Sequence, residues 1–495
     1  MRFLKFCTLL LWLAGCQSTA FADINDHFNT IKQDPNALYA FLKSMPKSGE
    51  LHYHLAGGAY PETMLALAAK GNYCLNQNTF VISKIIEQCS GLNTKELTAH
   101  PALYSQAIRA WSMKNFVAGK ESGHDHFFNS FGKFMPIVIN YSPQLLTEII
   151  ERAANQNEQY LEIMILPDNA NSTSFAPAKF SLAHLAEAKQ QLLSNQAFQE
   201  NIKYTVSETE QLLRQTRQEL GCFQNPQQDV CQLTVKFQYY VLREQPLENV
   251  FAQALNGFAA AAVSNDLVAV NLVQPEDGIT SLADYRKQME IFSFLHQAYP
   301  DVHIALHAGE LSPEEVKPAD LRFHITEAVN KAHAERIGHG TAIAFENKAE
   351  ELLQHMASKP VAVEINLTSN RKILNVYGKK HPLRYYIAHK VPVVLSTDDE
   401  GILRTDLTRE YAEAVLIHGI NYPELKMINR NALTYSFMPG HSLWEDALTA
   451  KPVHACQQLD SSSCREFIKT NEKARLQWRL ENKLRQFEKG FSQRH

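Results

Sequence analysis

After a polar, helix-forming lead (Asp23–Lys43), short runs rich in Val, Ile, Leu and aromatic residues recur along the chain, each bounded by turn-forming residues. Eight of them read as strands: Gly49–Leu55, Tyr160–Leu166, Leu233–Val241, Leu267–Val273, His303–His307, Glu335–Gly338, Val361–Asn366 and Pro392–Ser396. Helix-patterned stretches lie between most of them, among them Ser281–Ala298, Arg322–Ala332, Lys348–Ala357 and Pro382–His389. The runs are nearly continuous in apolar residues, the mark of strands covered on both faces and hence of parallel pairing. Alternation of eight such units predicts an α/β fold, a closed (β/α)8 TIM barrel more readily than an open sheet. The last five strands follow one another at about 25–35 residues, one unit each.

The first two connections are longer. Residues 70–135 carry Cys74, Cys89 and the aromatic segment "FVAGKESGHDHFFNSFGKF"; Thr173–Asp229 is Gln-rich and reads as long helices ending in a Cys222–Cys231 loop. Both read as helical insertions after strands one and two that decorate a barrel. The tail from Tyr422 reads as extra C-terminal helices packed around it. The expected division is a leader over 1–16, a helical lead over 17–48 and one barrel domain over 49–495, with the 70–135 insertion inside it.

Polar residues interrupt the strand ends in a consistent way. His52 and His54 sit in strand one, "HAGE" (His307–Glu310) follows strand five, "IGHG" (Ile337–Gly340) strand six, "NLTSN" (Asn366–Asn370) strand seven and "STDDEG" (Ser396–Gly401) strand eight. In a parallel barrel, groups at the C-terminal ends of different strands converge on one rim. Alternate residues of a strand point to the same side, so His52 and His54 can face one ion. His307 and Asp398 complete a His3Asp set that suits one zinc ion per chain and leaves room for a water. Glu310 can reach the substrate side of that ion and move protons, His339 between two glycines can hold or deprotonate the water, and Asp399 offers a second carboxylate. Together these residues describe a metal-plus-acid/base site that adds water to an sp² carbon. A second H-x-H, His124-Asp125-His126, falls in the helix-patterned insertion, where residues two apart diverge; it reads weakly as a ligand pair and leaves a role as a substrate lid open.

Composition narrows the class. With 495 residues, 45% hydrophobic and 20% charged, the chain is globular with ample core. A formal net charge of −4 without a basic stripe argues against a nucleic-acid partner. The signatures H-x-E…P-C-x-x-C, G-x-S-x-G, H-E-x-x-H and the P-loop are absent. The opening "MRFLKFCTLLLWLAGCQS" places Arg2 and Lys5 before an apolar run too short to span a bilayer, the order of a secretory signal. Its Leu13-Ala14-Gly15-Cys16 end resembles a bacterial lipoprotein signal, which implies lipidation at Cys16 and, with Gln17 following, the outer membrane; a plain cut near Ala20-Phe21-Ala22 is the alternative. The remaining six cysteines fall into three sequence-local pairs, Cys74/Cys89, Cys222/Cys231 and Cys456/Cys464, as expected of disulfides in an oxidising compartment.

With these residues assembled, the sequence resembles the adenosine deaminase family of metal-dependent (β/α)8 barrels. The resemblance rests on "MPKSGELHYHLAGGAYPETML", "HAGE", "RIGHG", "LTSN", "STDDEG" and "NALTYSFMP". The leader and the Cys74–Cys89 insertion are similar to the secreted, growth-factor-like branch. The resemblance implies hydrolytic loss of the 6-amino group of adenosine or 2′-deoxyadenosine, with zinc on His52, His54, His307 and Asp398. It further implies that Glu310 protonates the ring nitrogen beside the attacked carbon, His339 steers the hydroxide, and Asp399 contacts purine and water. His54, Gly309 and Gln274 join Asp399 as expected substrate contacts. The expected partners are a purine nucleoside, a membrane only through a lipid anchor, and a homodimer as an open assembly. The chain departs from the family pattern at Ala56, where an acid usually binds a ribose hydroxyl, and at Asn271 and Gln274, where "NLVQPED" stands for D-L-x-G-x-E.

Overall fold

The computed structural model describes residues 24–492, so the expected signal and the Cys16 lipidation site lie outside the described residues. Eight parallel strands form one sheet in chain order: β1 (Glu50–His54), β2 (Tyr160–Ile165), β3 (Thr234–Leu242), β4 (Leu267–Val273), β5 (His303–Ala308), β6 (Arg336–His339), β7 (Ala362–Ile365) and β8 (Val393–Leu395). The ends differ from the sequence expectation by a residue or two. The sheet closes where β1 meets the residues just beyond β8: Asp398 N–H donates to the His52 carbonyl at 3.2 Å, and His54 N–H donates to the Asp398 carbonyl at 3.0 Å. Helices pack outside, and the fold is the expected (β/α)8 barrel.

The insertion after β1 is not purely helical, contrary to the pattern reading. It opens with a three-stranded antiparallel sheet of Tyr73–Leu75, Ile82–Lys84 and Leu92–Asn93, pinned by the Cys74–Cys89 disulfide. Strands of two or three residues leave too short a period for a sequence pattern to reveal. The limit at residue 135 also falls inside one long helix, α1 (Gly123–Asn155). Ser122 caps its start by accepting from Asp125 N–H. Near the middle, Tyr141 leaves helical geometry (φ −133°, ψ 25°), because Pro143 cannot donate and its ring crowds the carbonyl four residues back. The insertion after β2 carries a second long helix, α2 (Gln196–Glu219), and closes with the Cys222–Cys231 disulfide.

The tail is helical over Tyr422–Thr434, Ser462–Thr470 and Glu472–Ser492, but a small hairpin, Trp444–Asp446 with Lys451–Pro452, interrupts it beside the Cys456–Cys464 disulfide. Asn421 and Glu424 form a reciprocal capping box at the first of these helices. The lead folds back on the tail through an aromatic cluster of Phe28, Phe41, Tyr422, Phe487 and Phe491. Among the described residues no helix is long and apolar enough to cross a membrane.

Candidate active site

The barrel seam carries the first and last of the expected ligands, which is why residues so distant in sequence meet. His54 Nε2 lies 3.2 Å from His307 Nε2 across 253 residues of sequence. Asp398 Oδ1 lies 3.4 Å from His52 Nε2 and 3.3 Å from His54 Nε2. Four donors on zinc at about 2.0–2.1 Å in a tetrahedron would stand about 3.3 Å apart. His52 Nε2 is moreover buried with no hydrogen-bond partner, a polar atom aimed into the site. His54, His307, His52 and Asp398 therefore fit a metal ion as a group. Burial pushes His54 down to about 4 and His307 below its ordinary range, so both offer lone pairs at neutral pH. Burial also opposes charge on His52, but hydrogen bonds to Asp398 and Glu364 outweigh it and hold the ring up at about 9. A cation is thus favoured at this point.

The side chains that aim the ligands come from inside the barrel. Glu364 on β7 accepts from His52 Nδ1 at 2.7 Å, which leaves Nε2 free for the ion. Its other oxygen accepts from Arg336 Nε at 2.6 Å, and Arg336 donates in turn to Glu162 on β2 at 2.6 Å; all three are buried. Asn271 does the same service for His307, whose Nδ1–H it accepts at 2.9 Å. Its amide oxygen accepts this hydrogen bond without bringing a charge. Ser369 donates to Asp398 Oδ2 at 2.7 Å. Gly338 has to lack a Cβ, since one would stand 2.7 Å from the His52 ring.

Glu310 and His339 face the same point, with Glu310 Oε1 and Asp398 Oδ2 at 3.6 Å and 3.8 Å from His339 Nε2. Burial first, then the negative Asp398 and Glu276, hold the Glu310 carboxyl well above its ordinary range, which favours its protonated form. Burial lowers His339 to about 3 and keeps it neutral. Its tautomer is set by a chain of hydrogen bonds. Leu383 N–H donates to His381 Nδ1 (3.1 Å), His381 Nε2–H donates to Asn370 Oδ1 (3.0 Å), and Asn370 Nδ2–H donates to His339 Nδ1 (2.8 Å). Because a backbone N–H can only donate, the direction of the whole chain is fixed and the His339 proton sits on Nε2, toward the site. Asp399 is buried beside Asp398, and burial followed by that neighbour's charge raises its carboxyl well above the ordinary range. Its Oδ1 has no hydrogen-bond partner and fills the space a Cβ on Gly57 would take.

The expected substrate contacts divide. His54, Gln274 and Asp399 line a cavity of about 400 Å³ with His307, Glu310, His339 and Asp398. Gly309 does not line it: its N–H donates to Glu276 at 2.9 Å and its carbonyl accepts from Thr341 at 2.7 Å, so it shapes the turn instead. Gln274, where the family pattern has a glycine, has a left-handed backbone (φ 83°), a conformation that costs a side-chain-bearing residue about 1–2 kcal/mol. Its side chain is turned onto Glu244 N–H at 2.9 Å. His339 and Asp398 are also left-handed, both at φ 66°, so backbone strain gathers at this rim. Glu276 accepts from Gly309 N–H, Glu310 N–H (2.8 Å) and His324 Nδ1 (2.5 Å), anchoring the "HAGE" turn. In the second H-x-H the two rings diverge: His124 pairs with Asp277 at 2.9 Å, while His126 meets the Ser112 carbonyl at 2.9 Å. The first contact ties the start of α1 to the barrel rim and holds Phe127, Phe128 and Phe131 over the cavity. A larger cavity, about 510 Å³, lies at the opposite end around His303, Arg336 and Phe437, away from the metal-type donors.

A barrel with a His3Asp donor set at its closing seam, beside a buried carboxyl and a neutral histidine, has the make-up of a metal-dependent hydrolase. The family model described as adenosine deaminase matches residues 101–443, a span that contains His307, Glu310, His339, Asp398 and Asp399 and begins after His52 and His54. The chain belongs to the adenosine deaminase family and is an aminohydrolase of purine substrates. It is 24% identical to the adenosine deaminase of Clostridium kluyveri over 421 residues, 83% of this chain and 96% of that one. It is 25% identical to the aminodeoxyfutalosine deaminase of Streptomyces coelicolor over 419 residues, 84% and 86% of the two chains. A match to the Pectobacterium atrosepticum adenosine deaminase is local, 31% over 137 residues, 28% of this chain and 37% of that one. Among solved structures, the adenine deaminase of Arthrobacter aurescens (18% identity, TM-score 0.52, 86% and 99% covered) shares the fold. So does Arabidopsis ADAL in complex with IMP (19%, 0.53, 90% and 99%).

Proposed function

We propose that this protein is an exported, zinc-dependent adenosine deaminase, converting adenosine or 2′-deoxyadenosine and water to inosine or 2′-deoxyinosine and ammonia. The observation that carries the proposal is the meeting, at one cavity, of four donors at metal-ligand spacing with the buried Glu310 carboxyl, held above its ordinary range, and with His339. His52, His54, His307 and Asp398 hold the zinc, which when bound lowers the pKa of water from about 15.7 to roughly 7. Glu310 gives its proton to the ring nitrogen next to the attacked carbon, so that the carbon accepts hydroxide. His339 holds the incoming oxygen through Nε2–H. Asp399, which lines the same cavity, contacts the purine and the same water. Phe127, Phe128 and Phe131 exclude bulk water and flank the base.

The reading extends to export. The six cysteines set in three disulfides support an oxidising compartment. The leader ending at Cys16 supports a lipid anchor in the outer membrane. A Cys16→Ser variant that still partitioned with membranes would exclude that anchor.

The reaction is tested on purified, zinc-loaded protein at neutral pH by the ultraviolet change from adenosine to inosine. Turnover should vanish with a chelator and return with zinc, and Glu310→Gln should lose at least about 10²-fold while keeping its metal. Unchanged spectra for adenosine and a panel of N6-bearing purines would overturn the proposal. A related 6-aminopurine, rather than adenosine itself, is favoured by one observation, the loss of the acid at Ala56.

A further inference from the structure

A second cavity adjoins the catalytic one. It measures about 390 Å³ and lies between α1, the end of β2 and α2, and Ala56, Met135, Tyr240 and Leu242 line both spaces. Two cavities that share four wall residues are neighbours across those side chains, and Ala56 is the smallest of the four. The first space alone, at about 400 Å³, already lies within the range of small-molecule sites, which begins near ~300 Å³. A bare nucleoside has no use for the second.

The residue at 56 decides whether the two communicate. In the family pattern an acid stands here and binds a ribose hydroxyl. A carboxylate in this position would need water or a hydrogen-bond donor and would put charge into the passage. A methyl group is the smallest obstacle a side chain can place between the two spaces, and it brings no charge. The walls say what could pass. Among the described residues lining either cavity there is no Lys or Arg, so a phosphate would find no cation to pair with. The second cavity is walled by Ile139, Met164 and Leu212, with amides of Asn169 and Gln211 and the acid Glu208 among the polar groups. Such a space takes an uncharged, mostly apolar chain and rejects an anion.

Resting on the aminohydrolase reading above, we infer that the preferred substrate is a 6-aminopurine nucleoside whose sugar carries an extended, uncharged substituent. The purine lies at Glu310, and the substituent passes Ala56 into the second cavity.

The test compares kcat/KM of the zinc-loaded full chain on adenosine, AMP and 5′-butylthio-5′-deoxyadenosine, and measures binding of the matching 6-oxo thioether nucleoside to the metal-free chain by calorimetry. The thioether should exceed adenosine by at least tenfold, since even one methylene in an apolar pocket is worth about 10–200-fold, and AMP should be the poorest. Ile139→Trp fills the second cavity without lining the first, and Ile139 is 49% exposed, so the fold should tolerate it. This change should erase the thioether advantage and weaken calorimetric binding while leaving adenosine turnover unchanged; Gln211→Trp, from the facing helix, is the independent check. Ala56→Asp should shift preference toward adenosine. Adenosine turned over as well as the thioether, AMP preferred to both, or an advantage untouched by both tryptophan variants would overturn the inference and leave the deaminase reading standing. Absence of turnover on every purine would instead strike the deaminase reading, and calorimetric binding sensitive to Ile139→Trp would then still support the cavity assignment.

Discussion

Replacing Asn370 by Asp reverses one hydrogen bond and should thereby turn over the tautomer of His339. In the native chain Asn370 Nδ2 donates to His339 Nδ1 at 2.8 Å and its Oδ1 accepts from His381 at 3.0 Å, so the His339 proton is held on Nε2. A carboxylate keeps the His381 contact but has no proton to give, and the favourable partner becomes a His339 Nδ1–H. A hydrogen bond to a charged group contributes about 1.5–3 kcal/mol, which moves the tautomer ratio by roughly 10- to 150-fold. Nε2 then turns a lone pair toward Glu310 and Asp398, 3.6 and 3.8 Å away, and can no longer donate to the incoming oxygen. Because the change leaves the cavity wall intact, kcat should fall by about 10- to 150-fold with KM nearly constant, the mark of an interaction made only in the transition state. Steady-state kinetics with zinc analysis gives the first readout and the ¹⁵N shifts of His339 the second. A variant whose tautomer has turned but whose kcat stays within twofold of wild type would refute the reasoning, as would a large loss of kcat with the tautomer unchanged.

Glu364→Gln removes the charge behind His52 Nδ1, so zinc affinity should fall about 10- to 100-fold in a chelator competition. Stability should fall with it, as Arg336 keeps only Glu162 as a charged partner. Glu410 is fully buried, and burial followed by Glu413 pushes it up to about 7. The folded chain therefore holds this proton more tightly than the unfolded one; the associated stability is complete below about pH 4.5 and is lost as pH rises toward 7, by an amount on the order of 3 kcal/mol. Chemical denaturation across that window should show the decline, and Glu410→Gln should flatten it. Cys74 and Cys89 close a loop of sequence separation 15, so replacing both with Ala should cost about 3 kcal/mol in denaturant titrations run without reductant. No free thiol should be found among the six cysteines of the native chain.

The metal-type ligands were legible because each lies in a short motif at the end of an apolar run, where a polar residue has no reason to be unless it does chemistry. The residues that aim them were not. Glu364, Arg336 and Glu162 lie inside strands, and their partners are other strands rather than sequence neighbours. A signal existed nonetheless: "YLEIMI" and "VAVEIN" each bury one carboxylate in an otherwise apolar run, and a buried charge has to be paired. Glu276 was visible as the final acid of "NLVQPE" without any hint of what it held. Asn370 was visible as the last residue of "NLTSN" without any hint that it held His339, and His381 gave no signal, since it sits at no strand end.

By itself the sequence determined the alternation of strand and helix, the rim on which the polar motifs gather, the three cysteine pairs and the absence of an acid at residue 56. These are properties of neighbours along the chain, set by periodicity, turn residues and side-chain chemistry. Only the tertiary structure decided that Gly309 donates its N–H to Glu276, that Gln274 takes a left-handed backbone and anchors its side chain on Glu244 N–H, and that a second space lies beside Ala56 between two insertion helices. Hydrogen-bond direction and the placing of two cavities side by side depend on which distant segments meet when the barrel closes. That meeting is fixed by packing, which no local pattern records.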